Sequence, residues 1–111
     1  MSITTNGIVR GKFETARELD HSVITSSFQM IGTAFDVSFS VLYVQNFTDT
    51  IMDFSISYDG LTTTFSLAPS GIISSDMVSN QLQISAGEAA WVKYRSAPSS
   101  GFVQVSAITA V

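Results

Sequence analysis

The stretch Met52-Asp53-Phe54-Ser55-Ile56-Ser57-Tyr58-Asp59-Gly60 determines the fold class. Its apolar side chains alternate with Asp and Ser, and this period of two is typical of a half-buried antiparallel strand. The final Asp-Gly pair predicts a hairpin turn, because glycine tolerates the positive φ that tight turns need. The alternation also predicts that Tyr58 faces the core together with Phe54 and Ile56.

The same period continues on both sides of this hairpin. Gly- and Pro-containing turns, at residues 69–71, 86–88 and 98–101, separate further short apolar segments. About eight strands at spacings of 8–12 residues are typical of an all-β antiparallel sandwich, and a jelly roll is the favoured topology. The predicted strands are 23–31, 37–44, 52–58, 61–67, 72–73, 82–84, 89–95 and 102–111.

The amino-terminal part has weaker patterning. The segment 13–19 has some helical character, but it is short and lacks an end cap, so we predict extended chain or a single turn. We place one β-sandwich domain at 17–111 and an extended segment at 1–16. This segment is either an arm that docks on a neighbouring subunit or a frayed terminus. Its apolar residues Ile3, Ile8 and Val9 form, with Trp91, the predicted contact surface.

Charge is scarce in this sequence. Charged residues make up 13% of the 111 residues, hydrophobic residues make up 45%, and the formal net charge is -4. Ser and Thr supply about a quarter of the chain and fill the polar positions. Such a surface lacks the charges that usually prevent sheet association. We therefore expect another molecule to cover much of it; a merely neutral sandwich surface is the alternative.

Composition also excludes several classes of partner. Five basic residues do not form the positive surface that phosphate-backbone binding requires, so we expect no nucleic acid. The absence of cysteine excludes disulfides and thiolate metal sites. No apolar segment is long enough to span a membrane, and no signal peptide is visible, so we expect synthesis in the cytoplasm.

Catalytic residue patterns are not evident. His21 is the single histidine, whereas zinc sites need several ligands and acyl-transfer triads need a base and an orienting acid. The nine carboxylates are scattered and fall mostly at turns or strand ends, where Asp has a local backbone role. We therefore predict a protein that is not an enzyme and that needs no metal or cofactor.

Aromatic residues provide a second functional hypothesis. A platform for sugar rings could be built from Tyr43, Tyr58, Trp91, Tyr94 and Phe102, although buried aromatics are the commoner explanation. Trp91 is out of phase with its neighbours Val92 and Tyr94, which predicts that it is exposed. The corresponding function is a glycan-binding module of a host-recognition fibre.

An ordered series of motifs runs from about residue 17 onward: a strand that ends in Gly32, the turn Asn46-Phe47-Thr48-Asp49, the hairpin Ile56–Gly60 and the closing strand Ser100–Val105. In this order the series resembles a family of small structural proteins of tailed-bacteriophage particles. The supporting stretches are 17–19, 24–32, 44–49, 56–60, 79–80 and 99–106. Family members carry an aromatic residue at the very end, whereas this chain ends in Ala110-Val111.

The resemblance implies a virion structural protein that is made in the host cytoplasm. Such proteins act as capsid cement or decoration, or as adaptor or ring subunits where the head meets the tail. The implied partners are capsid, portal or tail proteins and further copies of the chain. A charge-poor sandwich with an amino-terminal arm is suited to β-augmentation and side-by-side packing.

Overall fold

The computed structural model describes residues 11–35, 41–76 and 84–110. Within these ranges the chain forms nine strands and one 3₁₀ turn, His21–Val23. The strands are β1 (Gly11–Phe13), β2 (Arg17–Asp20), β3 (Gln29–Met30), β4 (Val41–Asn46), β5 (Met52–Ser57), β6 (Phe65–Leu67), β7 (Ile72–Asp76), β8 (Ala89–Tyr94) and β9 (Phe102–Ala110). No helix in these ranges could cross a membrane.

The strands form two antiparallel sheets. In the first sheet β1 and β2 both pair with β9, and β4 lies between β9 and β7. The second sheet has the order β3-β8-β5-β6. The nested pairs β2–β9, β3–β8, β4–β7 and β5–β6 alternate between the two sheets, which is the jelly-roll arrangement. The predicted all-β sandwich is therefore confirmed.

The core lies between the inward faces of the two sheets. The first sheet contributes apolar side chains from β4 and β9, and the second sheet contributes them from β5 and β8. Full burial of one Val, Leu, Ile, Phe or Met side chain is worth roughly 1.5–3 kcal/mol. The fully buried apolar residues of these four strands include Val44, Met52, Phe54, Ala90, Val92, Val103, Val105 and Ala107.

The prediction for Tyr58 is wrong. The pairing of β5 ends at Ser57, so Tyr58 lies beyond the strand and its side chain is 64% exposed. The other face of β5 also differs from a half-buried strand, because Asp53 and Ser55 are buried. The chain after β5 folds back over the outer face of the second sheet and places Gly60 against Trp91.

Several predicted strands are shorter than expected or start elsewhere. Only 65–67 of the segment 61–67 is a strand, and only 29–30 of the segment 23–31. The segment 13–19 contains strand residues at both ends, in agreement with the predicted extended chain: Phe13 is the last residue of β1, and residues 17–19 belong to β2. Predicted strand residues 37–40, 82–83 and 111 lie outside the described residues.

The amino-terminal segment is described only in part. Ile3, Ile8 and Val9 lie outside the described residues, so their place in a contact surface stays a prediction. Gly11–Phe13 pairs with β9, where Gly11 lies opposite Ala110. The chain therefore enters the first sheet at the carboxyl end of β9.

Candidate functional site

Loops at one end of the sandwich are joined by backbone hydrogen bonds. We call this end, formed by residues 21–28, 47–51, 68–72 and 95–102, the loop end. The His21 amide donates to the Gly101 carbonyl at 3.0 Å, and the Phe47 amide donates to the Phe102 carbonyl at 2.8 Å. The Ser70 amide donates to the Asn46 carbonyl at 2.9 Å. The four segments therefore form one continuous surface.

Large apolar side chains project from the loop end. Four of them are between 42% and 58% exposed, and they come from three different segments: Val23, Phe47, Ile51 and Ile72. Phe47 packs on Phe102 with ring centroids 4.9 Å apart. Single exposed apolar residues are ordinary, whereas several on one surface indicate an interaction site.

Asn46 is the buried residue that fixes two of these segments. Its side-chain amide donates to the carbonyls of Thr50, Leu67 and Ala68 at 2.9, 3.0 and 3.2 Å. Its side-chain oxygen accepts from the amide of Thr48 at 2.9 Å and from the Thr48 hydroxyl at 2.6 Å. One fully buried side chain thus positions the chain just before Ile51 and at the end of β6.

The carboxylates at the loop end have local partners. Asp49 accepts from the amide of Ser99 at 2.9 Å and also from the Ser99 hydroxyl. These two hydrogen bonds lower the pKa of the Asp49 carboxyl. Asp20 accepts from the Ser22 hydroxyl at 2.6 Å and from its amide at 3.0 Å, which likewise lowers the pKa of Asp20.

His21 belongs to the loop end and contacts its neighbours there. Its Nδ1 lies 3.1 Å from the Gly101 carbonyl and 3.4 Å from an oxygen of Asp20. This geometry ties the 3₁₀ turn to the loop before β9. No group of three or more His, Cys, Asp or Glu residues suited to a metal ion occurs within the described ranges.

The opposite end of the sandwich is formed by a second group of loops. We call this end, formed by residues 31–35, 58–64 and 84–88, the turn end. The Phe35 amide donates to the Glu88 carbonyl at 2.8 Å, and the Gly87 amide donates to the Phe35 carbonyl at 2.7 Å. Tyr58 lies against Gly87, and Leu61 is 77% exposed.

Trp91 lies on the outer face of the second sheet and is half-buried. Its Nε1–H donates to the Ser57 carbonyl at 3.1 Å. A Cβ atom at Gly60 would lie 2.5 Å from indole Cδ2, so the backbone of Gly60 covers one face of the ring. Gly60 has φ +65°, a conformation that favours glycine. Trp91 therefore anchors the loop after β5 to the sheet.

The five aromatic residues of the sugar-platform hypothesis are not brought together. Tyr43 and Phe102 belong to the outer face of the first sheet, on neighbouring strands. Tyr58 belongs to the turn end, and Trp91 and Tyr94 belong to opposite faces of β8, because their positions differ by three residues. Tyr94 packs against the core.

Asp53 forms a charged network on the outer face of the second sheet. Arg95 donates to the Asp53 carboxylate through Nε and Nη2, at 2.9–3.2 Å, and the Ser66 hydroxyl donates to it at 2.5 Å. Burial acts to raise the pKa of Asp53. The hydrogen bonds from Arg95 and Ser66 and the positive charges of Arg95 and Lys93 outweigh burial, and the net pKa is lowered.

The exposed apolar residues of the two ends were missed by the strand periodicity. Phe47, Ile51 and Leu61 lie outside regular strands, where period-two alternation gives no information. Their positions next to turn motifs were the available sign of exposure. Phe47 is the second residue of the turn Asn46-Phe47-Thr48-Asp49, and Leu61 follows Asp59-Gly60. Large apolar residues at such positions are unusual in turns and mark candidates for an exposed apolar surface.

Comparisons with known proteins show the fold. No family model matches this sequence, and no curated protein matches it. One solved structure, described as Bacillus endospore appendages that form a novel family of disulfide-linked pili, aligns with a TM-score of 0.52. The alignment covers 100% of this chain and 97% of that chain at 11% identity. The two chains thus share the sandwich, while this chain has no cysteine.

Proposed function

We propose that this chain is a multi-copy structural subunit that works by binding other protein subunits. The observation that carries the proposal is the group of exposed apolar side chains at the loop end of a domain with 13% charged residues. Free soluble domains usually protect such surfaces with Lys and Glu. Ser and Thr in those positions leave the surface open to close packing against a protein partner.

Sheet edges provide further places for assembly. Within the described ranges, β7 pairs only with β4, and β6 pairs only with β5. Their sequences, Ile-Ile-Ser-Ser-Asp and Phe-Ser-Leu, contain no Lys or Pro that would block an added strand. The arm predicted from the sequence, contributed by a neighbouring copy, could pair with either edge.

The assembly that we propose is the virion of a tailed bacteriophage, where the chain would act as a decoration or cement protein or as a head–tail adaptor. The order of turn motifs from residue 17 onward supports this assignment. The similar solved structure is described as a pilus, which is also a repeated assembly. Because this chain lacks cysteine, its own contacts would be non-covalent.

Quantitative mass spectrometry of purified particles from the source phage tests the proposal. On the order of hundreds of copies per particle would indicate a capsid-coating role, and about a dozen would indicate a ring or adaptor. Absence from the particle would overturn the virion assignment. Deleting residues 1–10, which leaves β1 in place, tests the arm: assembly should weaken while the circular dichroism of the domain stays unchanged. Normal assembly after the deletion would contradict the arm.

The alternative is a glycan-binding module, which predicts that Trp91→Ala abolishes glycan binding and leaves stability unchanged. The contacts of Trp91 with Ser57 and Gly60 favour a structural role for the ring instead. On that account Trp91→Ala lowers the melting temperature, and an array of glycans shows no binding by the wild-type protein. A positive array with a stable variant would favour the glycan-binding module.

A further inference from the structure

Asp59-Gly60 is the single Asp-Gly pair of the sequence. In such a pair the main-chain nitrogen of glycine can attack Cγ of aspartate, because glycine has no side chain to obstruct the approach. The nitrogen loses its proton, the bond from Cγ to one carboxyl oxygen breaks, and that oxygen leaves as water. The product is a cyclic succinimide. Water then opens the ring, and opening at the main-chain carbonyl gives isoaspartate.

Both reacting groups of this pair are held by hydrogen bonds. Asp59 is exposed to water, whereas Gly60 is buried. The Gly60 amide donates to Ser57 Oγ at 2.9 Å. The Asp59 carboxylate accepts from the Leu61 amide at 3.2 Å. The nitrogen that would attack and the carboxylate that would be attacked therefore point to different partners in the folded protein.

Ser57 and Trp91 hold Gly60 in place, and we call these two residues the clamp. Ser57 Oγ lies 2.9 Å from the hydroxyl of the buried Ser55, which fixes the side chain that accepts from Gly60. The Ser57 carbonyl accepts from Trp91 Nε1–H at 3.1 Å. The indole lies so close to Gly60 that a Cβ atom there would be 2.5 Å from Cδ2. The clamp thus grips Gly60 through its nitrogen and through its Cα.

The clamp opposes both steps of isoaspartate formation. The nitrogen of a succinimide carries no hydrogen, so ring closure necessarily breaks the hydrogen bond from Gly60 to Ser57. Isoaspartate also adds the Cβ atom of Asp59 to the main chain, which lengthens the path between Tyr58 and Gly60. Against the indole there is no room for such a displacement of Gly60. The intermediate and the product therefore fit the folded loop poorly.

We propose that the clamp protects Asp59-Gly60 from isoaspartate formation, and that the reaction proceeds only when the loop after β5 leaves Trp91. Such a local opening is less costly than global unfolding and is rare in the native protein. The isomerisation rate is then the rate of the open loop multiplied by the fraction of open molecules. This inference does not depend on the role proposed above.

Variants of the clamp residue Ser57 test the protection. Ser57→Ala removes the acceptor for the Gly60 amide, and Ser57→Thr keeps a hydroxyl at this position. Ser74→Ala is the matched control, because Ser74 is an exposed serine of β7, in the other sheet. Asp59→Glu gives the blank, since its ring would be larger and closes far more slowly. Circular dichroism checks the fold of each variant.

Peptide mapping after incubation gives the rate of isoaspartate formation at position 59. Electron-transfer fragmentation distinguishes isoaspartate from aspartate, and one oxygen from isotope-labelled water marks passage through the succinimide. The full chain unfolded in urea gives the unprotected rate. We expect native wild-type protein to react at least ~10-fold more slowly than the unfolded chain. Ser57→Ala should react about 3–10-fold faster than wild type, as expected for the loss of one hydrogen bond.

The remaining variants separate the clamp from general destabilisation. Ser57→Thr and Ser74→Ala should react at the wild-type rate. If Ser57→Ala does not fold, Trp91→Phe replaces it: phenylalanine keeps an aromatic ring near Gly60 but cannot donate to the Ser57 carbonyl, so the reaction should again accelerate. Because local opening exposes little surface, the wild-type rate should stay nearly constant in urea well below the unfolding transition.

Four results would overturn the protection by the clamp. The first is a native wild-type rate equal to the rate in the unfolded chain. The second is a folded Ser57→Ala variant that reacts no faster than Ser74→Ala. The third is a wild-type rate that follows the global unfolding curve from zero urea upward, which would place the reaction in the unfolded chain. The fourth is the absence of isoaspartate even from the unfolded chain.

Discussion

Replacing Asn46 with alanine should destabilise the domain strongly, because this buried side chain makes five hydrogen bonds. Some of its partners keep a second bond: the Ala68 carbonyl still accepts from the Gly71 amide, and the Thr50 carbonyl from the Thr48 hydroxyl. The buried Thr48 amide loses the side-chain acceptor described for it.

An unsatisfied buried group costs about 1–3 kcal/mol, and each other hydrogen bond contributes about 0.5–1.5 kcal/mol. The orphaned Thr48 amide and the other four lost bonds together predict a decrease in unfolding free energy of about 4 kcal/mol. For a domain of this size, each kcal/mol of lost stability lowers the melting temperature by ~4 °C, so the melting temperature of the variant should be lower by roughly 15 °C. Asn46→Asp keeps the acceptor for Thr48 but places a second oxygen against three carbonyls. It should be at least as damaging at neutral pH and partly recover in acid, when the carboxyl is protonated.

Urea unfolding monitored by Trp91 fluorescence measures both free energies. Gln45→Ala is the matched control, since Gln45 is the preceding residue of β4 and faces outward. It should change stability by less than ~0.5 kcal/mol. A loss below ~1 kcal/mol for Asn46→Ala, or a loss equal to that of Gln45→Ala, would refute the role of Asn46 as the organiser of the loop end.

Three further predictions concern other sites. Gly60→Ala should lower the free energy of unfolding by about 2–4 kcal/mol, because alanine is strained at φ +65° and its Cβ clashes with the indole of Trp91. It should also red-shift the fluorescence of Trp91, the single tryptophan, and unchanged emission would contradict this packing. Arg95→Ala should lower the free energy of unfolding at pH 7, because the Asp53 carboxylate loses its charged donor. The pKa of Asp53 is lower in the folded protein than its ordinary value of 3.8, so the pair stabilises the fold above that pH and the stabilisation is lost as the pH falls through the folded pKa. The effect of the substitution should therefore shrink as the pH falls below 3.8; a pH-independent effect in urea titrations would count against the pair. Thr50→Val should raise stability by about 0.5–1.5 kcal/mol, because the buried Thr50 hydroxyl has no hydrogen-bond partner in the described structure; a lower melting temperature would show that the hydroxyl has one.

The exposed ends show why strand periodicity alone could not locate the candidate site. Alternation identifies which face of a strand is buried, but Phe47, Ile51 and Leu61 lie in loops, where no period applies. Their proximity depends on pairings between distant segments. The Asp49–Ser99 contact spans 50 positions of the chain and the Asn46–Leu67 contact spans 21. Composition could predict that some surface is covered, but not which one.

The sequence by itself determined the all-β class and the sandwich, because alternation and turn chemistry are properties of neighbouring residues. Only the tertiary structure decided that Asp53 is buried beside Arg95, that Tyr58 is exposed and that Trp91 is covered by a turn. Those outcomes depend on where β5 stops pairing and on which distant loop folds over it. The physical reason is that burial of a given side chain is set by its partners across the sheets, which the local pattern does not specify.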